Sequence, residues 1–189
     1  MCIHHLSDYF GILSWRMPTK TGVWYVHVLN VIEQAAEKAD YYYVPLPGHE
    51  SSMDIWEHGE KCHPGIIELG REVCRRASLP LTVGGKIGTP AFCMYVVFKS
   101  DIYEQYVEKC LIPAMRAMDL MDESSKPGGG LWRELPYNNS SMSKEELIAL
   151  FGRPAYSYHT VVLERLLPTW LDANGLIGQQ ISPKRPDAA

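Results

Sequence analysis

Fifteen glycines and thirteen prolines cut this 189-residue chain into short segments, and that punctuation limits the fold more than any other feature. Proline breaks helices and central strands, and glycine opens turns, so each segment must be one short element. The longest uninterrupted apolar run, from Ala91 to Phe98, is far below the roughly 20 residues that a membrane-crossing helix needs. Between breakers the apolar pattern changes character. Tyr9 to Trp15 reads as a short buried strand, and Asp40 to Leu46, with Tyr41, Tyr42, Tyr43 and Val44, as an aromatic strand that stops at Pro45-Leu46-Pro47-Gly48. Ala91 to Phe98 reads as the second strong strand, entered from a loop with glycines at 84, 85 and 88.

Helical spacing appears between these strands. Trp24, Val28, Val31, Ile32 and Ala35 recur as one stripe, with Thr21 as a cap, and Pro64 opens a helix whose stripe is Ile66, Ile67, Leu69, Val73, Cys74 and Ala77. Ser100 is placed to cap a third, striped by Tyr103, Tyr106, Val107, Cys110, Leu111, Ala114 and Met118, which Pro113 should kink or split near Leu111. A long polar loop from Glu123 to Met142 follows. Ser143 and Glu146 then form a capping box for a helix that Gly152 ends. The last helix spans Tyr156 to about Leu171, with a kink at Pro168. This alternation predicts an α/β fold with a mainly parallel sheet flanked by helices, one domain over residues 1–173 and a polar tail over 174–189.

Composition narrows the function classes. Eighteen Lys and Arg against 22 Asp and Glu give a net charge of −4, the reverse of a phosphate-neutralising surface, so nucleic acid is not the expected partner. The five cysteines are an odd number without a CxxC pair, and no cation or apolar stretch resembling a secretory signal precedes Arg16. Both features point to free thiols and a cytoplasmic protein.

The densest polar cluster is Pro47-Gly48-His49-Glu50 followed by Asp54 to His63. It comes directly after the aromatic strand, and crevices in α/β sheets lie beyond strand carboxyl ends. Trp56 beside Asp54, Glu57, His49 and His63 suits a carbohydrate: the indole stacks on a sugar face while carboxylate and imidazole move hydroxyl protons. The blander alternative is a solvated loop that caps the helix at Pro64. A metal reading of His49, His58, Cys62, His63 and Cys74 has suitable ligand types, but the spacing fits no standard zinc motif, and Cys74 lies on an apolar stripe. Gly84 to Thr89 is not a phosphate loop, since no helix follows it. Arg16 and Lys20 flank the turn after the first strand, where two cations could hold a diphosphate.

Several segments resemble a known family. YFGILSWR (9–16), WEHGEKCHPG (56–65), FCMYVVFKSDIYEQYVEKCLIPAM (92–115) and HTVVLERLLPTWL (159–171) are similar to small GT-A-type glycosyltransferase-like proteins of bacterial capsule and exopolysaccharide clusters. The resemblance implies a GT-A-like domain with a nucleotide-sugar donor and a glycan or other hydroxyl acceptor. It places Arg16 near the donor phosphates and Trp56, Glu57 and His63 beside the reacting sugars. With the candidates read from the residues themselves, the expected site has Ser14, Trp15, Arg16, Lys20, His49, Trp56 and Glu164 in substrate binding and Glu57, Asp54 and His63 in catalysis. Glu164 and Arg165 would brace the closing helix. The family pattern departs here in two ways: the N-terminal nucleotide-binding part is short or missing, and no Asp-x-Asp is present for the divalent metal that bridges the donor diphosphate. The other class that the same residues allow is a non-catalytic saccharide- or protein-binding module. A homo-oligomer or a second chain could complete the site.

Overall fold

The computed structural model describes residues 8–48, 53–88, 91, 94–125, 130–132, 143–152 and 157–182. Four short strands form one sheet in the order β1-β3-β2-β4, with β1 at Tyr9–Ile12, β2 at Tyr41–Tyr43, β3 at Val96–Lys99 and β4 at Gly178–Gln180. Eight α-helices accompany them: α1 (Met17–Thr21), α2 (Tyr25–Gln34), α3 (Ile55–Cys62), α4 (Ile66–Arg76), α5 (Ser100–Tyr106), α6 (Ile112–Glu123), α7 (Lys144–Phe151) and α8 (Tyr158–Ala173). No helix among the described residues is long and apolar enough to cross a membrane.

The fold is α/β, but the sheet is mixed rather than mainly parallel. β3 lies between β1 and β2 and runs antiparallel to both, while β4 runs parallel to β2. Alternation of strands and helices along a chain establishes that strands exist, not their order. Here the chain between β2 and β3 carries two helices and a loop instead of the single crossover helix that returns a chain for a parallel neighbour.

Side-chain alternation along the strands divides the interior into two cores. Tyr41, Tyr43, Val96 and Phe98 face a core built with α3, α4, α5, α6 and α8, whereas Tyr42 and Val97 face Met17, Val23, Val28 and Ile32 of the α1–α2 layer. Each strand has only three or four residues, so the sheet depends on helices packed against both faces. At its lower edge the Asp40 carboxylate joins three segments, accepting from Lys99 Nζ at 2.8 Å and from the Ile177 N–H at 2.9 Å.

Several local expectations hold. Ser143 and Glu146 close the capping box of α7, and Gly152 ends it at φ 70°, a conformation that suits a residue without Cβ. Pro113 does not stop its helix. The preceding residues Val107–Leu111 widen into a π-turn, in which Ile112 N–H reaches back to Val107 O, and the chain continues as α6. A proline cannot supply the N–H that a regular turn needs, and the wider turn absorbs that gap. Thr21, by contrast, does not cap α2. Its hydroxyl donates to Met17 O and accepts from Val23 N–H, tying off α1 instead. α4 likewise begins at Ile66 after Gly65, two residues beyond Pro64.

The segment after Asn174 is more than a polar tail. Gly178–Gln180 pairs with Tyr41–Tyr43, and Ile181 is buried in the α1–α2 core. Gly178 is required there because a Cβ at this position would overlap the Tyr41 ring. Gly178→Ala should therefore cost roughly 1–3 kcal/mol, as overpacking does. Urea denaturation should show a lower midpoint, whereas a detached tail would leave the midpoint unchanged.

Candidate functional site

The polar run from Asp54 to His63 folds as a helix rather than a crevice loop. Asp54 starts it: Oδ1 accepts from the N–H groups of Trp56 (3.0 Å) and Glu57 (2.9 Å), while Oδ2 accepts from Gly85 N–H at 2.7 Å. Both oxygens thus satisfy backbone donors, starting α3 and fastening the glycine loop to it. The spacing Asp54-x-x-Glu57 is itself a helix-start signal in the sequence. Gly85 N–H, meanwhile, is committed to a carboxylate rather than offered to a phosphate.

Trp56 is 1% exposed and belongs to the larger core. Its Nε1 donates to Thr169 Oγ1 at 2.9 Å, and Thr169 in turn donates to Arg165 O at 2.8 Å. Its ring lies so close to Gly70 that a Cβ there would overlap it. This corrects the stacking assignment: no face of the indole is available to a sugar. Glu57, one residue on, points into solvent and pairs with Lys61 across one helical turn at 3.7 Å. Such an exposed pair contributes under about 1 kcal/mol.

A different set of groups comes together where α3 ends against α8. Arg165 is buried, with Nε donating to Ile55 O at 3.0 Å and Nη1 to Val161 O at 2.8 Å. Its Nη1 also lies 3.6 Å from Glu164 Oε2. Gly59 makes room for this guanidinium, since any Cβ at 59 would overlap it. His63 closes α3 by donating its N–H to Gly59 O at 2.7 Å. Burial, and then the Arg165 charge, hold the His63 imidazole below its ordinary 6.5; Glu164 pulls the other way, and His58 adds to the lowering. The result is an imidazole that stays neutral at neutral pH, within the electrostatic reach of a carboxylate whose side chain is 22% exposed. Arg165 stands out in the sequence as a charge three residues after Val162 and four before Thr169, on the buried face of α8.

The remaining candidates lie elsewhere. Ser14, Trp15, Arg16 and Lys20 sit at the exit of β1 and on α1, in the layer on the opposite sheet face from α3 and α8. Ser14 Oγ accepts from Arg16 N–H at 3.2 Å, and its carbonyl accepts from Tyr25 Oη at 2.9 Å. Trp15 is 82% exposed, with the Arg16 guanidinium 5.8 Å from its ring centre. His49 lies outside the described residues. Of the named set, the structure brings His63 within the electrostatic reach of Glu164, and separately gathers Ser14, Trp15, Arg16 and Lys20.

Among the described residues no group of three or more His, Cys, Asp or Glu side chains could hold a metal, and Asp54 is already occupied by backbone donors. Cys74 and Cys110 are buried, and burial pushes their thiols up to about 11 and about 12, far from thiolate chemistry. Comparison with models of known families, with curated proteins and with solved structures finds no match to this chain. The fold and the site define an α/β domain in which a half-buried histidine lies within the electrostatic reach of a buried arginine and its neighbouring glutamate.

Two measurements check these assignments. Trp56→Ala should cost roughly 3–5 kcal/mol and Asp54→Ala about 0.5–2 kcal/mol, while Glu57→Gln stays within about 0.5 kcal/mol, all read by urea denaturation. His63 should also impose a pH dependence. Its folded value lies below the unfolded one, so its contribution is complete above 6.5 and is lost as pH falls toward the folded value. A plot of melting temperature against pH should be flatter for His63→Gln than for the parent on the acid side of neutrality.

Proposed function

We propose that the chain is a sugar transferase, moving a glycosyl group from a nucleotide-sugar donor to a hydroxyl acceptor, with proton transfer handled by His63 and Glu164. The observation that supports this reading is that His63 at the end of α3 feels the charges of both Arg165 and Glu164, themselves 3.6 Å apart, with the imidazole neutral and therefore able to accept a proton. The acceptor oxygen attacks the anomeric carbon as the bond to the diphosphate breaks. The hydroxyl proton passes to His63, and the nucleoside diphosphate leaves with the bonding electrons. Glu164 stabilises the imidazolium that forms, and Arg165, held by two backbone carbonyls, positions Glu164. Asp54 and Glu57 take no part, being engaged in helix capping and in a solvent-facing ion pair.

The test is release of nucleoside diphosphate from UDP- and GDP-linked sugars in the presence of glycan acceptors. His63→Gln should lower kcat by roughly 10² to 10⁴, the usual range for general acid–base catalysis, with Glu57→Gln unchanged. The acid limb of kcat/KM should have its midpoint below 6.5. Glu164→Gln should move that midpoint lower still, because the carboxylate that favours the imidazolium is gone. Equal losses in Glu57→Gln and His63→Gln would remove His63 from the chemistry. A second reading, a non-catalytic saccharide- or protein-binding module, is favoured by the exposed Trp15 ring, and glycan binding without any diphosphate release would select it.

A further inference from the structure

α2 is apolar on two sides. Val28 and Ile32 face the inner core, while Val26 (63% exposed) and Leu29 (59%) form an outward stripe with Tyr25 at helical spacing. Trp24, which precedes the helix, is 65% exposed. Tyr25 Oη donates to Ser14 O, and this bond brings the Trp15–Arg16 turn against the same end of α2. Single exposed apolar residues are ordinary, but Trp24, Tyr25, Val26 and Leu29 together extend the apolar arc of α2 well beyond its core-facing side.

We propose that Trp15, Trp24, Tyr25, Val26 and Leu29, flanked by Arg16 and Lys20, form a docking surface for an anionic lipid bilayer. This inference is independent of sugar transfer. Trp and Tyr rings settle at headgroup depth, where an apolar body meets a polar tip, and an interfacial helix pairs such a face with Lys and Arg. Charge selects the occupant. In a chain of net charge −4, this end of the layer carries Arg16 and Lys20 and no acidic residue in the first turn of α1 or α2. A second copy seated by a twofold would bring the same cations together, which opposes that contact. Glu33 follows Leu29 by four residues, one turn and about 6 Å along the axis, so the apolar stripe ends there. The helix therefore docks tilted, with its amino end in the lipid and Glu33 in water.

The experiment is co-sedimentation of the full chain with vesicles of phosphatidylcholine alone and of phosphatidylcholine mixed in equal parts with phosphatidylglycerol. Binding should occur with the anionic vesicles, weaken as salt is raised, and be accompanied by a blue shift of tryptophan emission. Trp24→Ser, at an exposed position, should lower the partition coefficient by about tenfold with an unchanged melting curve. Lys20→Gln should lower it by about fivefold, the equivalent of about 1 kcal/mol per cation near a charged surface. Absence of binding to anionic vesicles, or equal binding to both kinds and by both variants, would overturn the proposal. So would a dimer in sedimentation velocity that Trp24→Ser dissociates, or fluorescence quenching by soluble glycans with no vesicle binding. In those cases the patch serves a second copy or a saccharide instead.

Discussion

The Arg165 guanidinium holds α3 to α8. It donates to carbonyls of both helices and fills a gap that only Gly59 leaves open. Removing such a buried cation's partners, or the cation itself, leaves polar groups unsatisfied in the interior, a loss larger than that of a surface pair. Much else follows from this contact. With α3 set, Trp56 reaches Thr169, whose hydroxyl returns to Arg165 O, so three side chains fasten one helix pair. The same contact brings His63 within the electrostatic reach of Arg165 and Glu164.

The sheet separates two chemistries. On one face the polar atoms are inside, gathered around Arg165 and shielded enough to depress the His63 imidazole. On the other the inside is plainly apolar, and the unusual residues, Trp15 and Trp24, are outside. A sheet of three- and four-residue strands has little capacity to transmit strain between them. The two sites are therefore best understood as separate properties of one scaffold, each set by the helices on its own side.

Local chemistry was legible in the chain wherever one or two residues decide it. The Ser143–Glu146 box, the Gly152 stop, the disturbance before Pro113 and the aromatic strand at Tyr41–Tyr43 all follow from short-range rules. What was not legible depends on pairing at a distance. The direction of β3 and the strand at Gly178–Gln180 are fixed by partners more than fifty residues away, and Gly-Gln-Gln has none of the β-branched character that marks a strand. The site shows the same division. Asp54, Trp56 and Glu57 are neighbours in sequence, and their proximity suggested a shared task. The helix sends them in three directions: to backbone donors, to the core and to water. His63 and Glu164 are about a hundred residues apart, and what links them is Arg165, a charge on the buried face of α8.

The π-turn at Val107–Leu111 has a consequence for how this chain can vary in length. A turn with one residue more than its neighbours works as a phase shifter: it rotates everything after it by about 100° relative to an unbroken α-helix. Tyr106 lies before the shift, and Ala114, Met118 and Met121 after it, yet all four reach the same core. Loss of one residue from this turn would restore regular winding with the two halves still in phase, whereas loss of a residue elsewhere in the helix would swing the methionine face of α6 out of register with α4. The turn is thus a place where this helix can shorten by one residue and keep its core face, and Pro113, which has no N–H to give a regular turn, sits just after it.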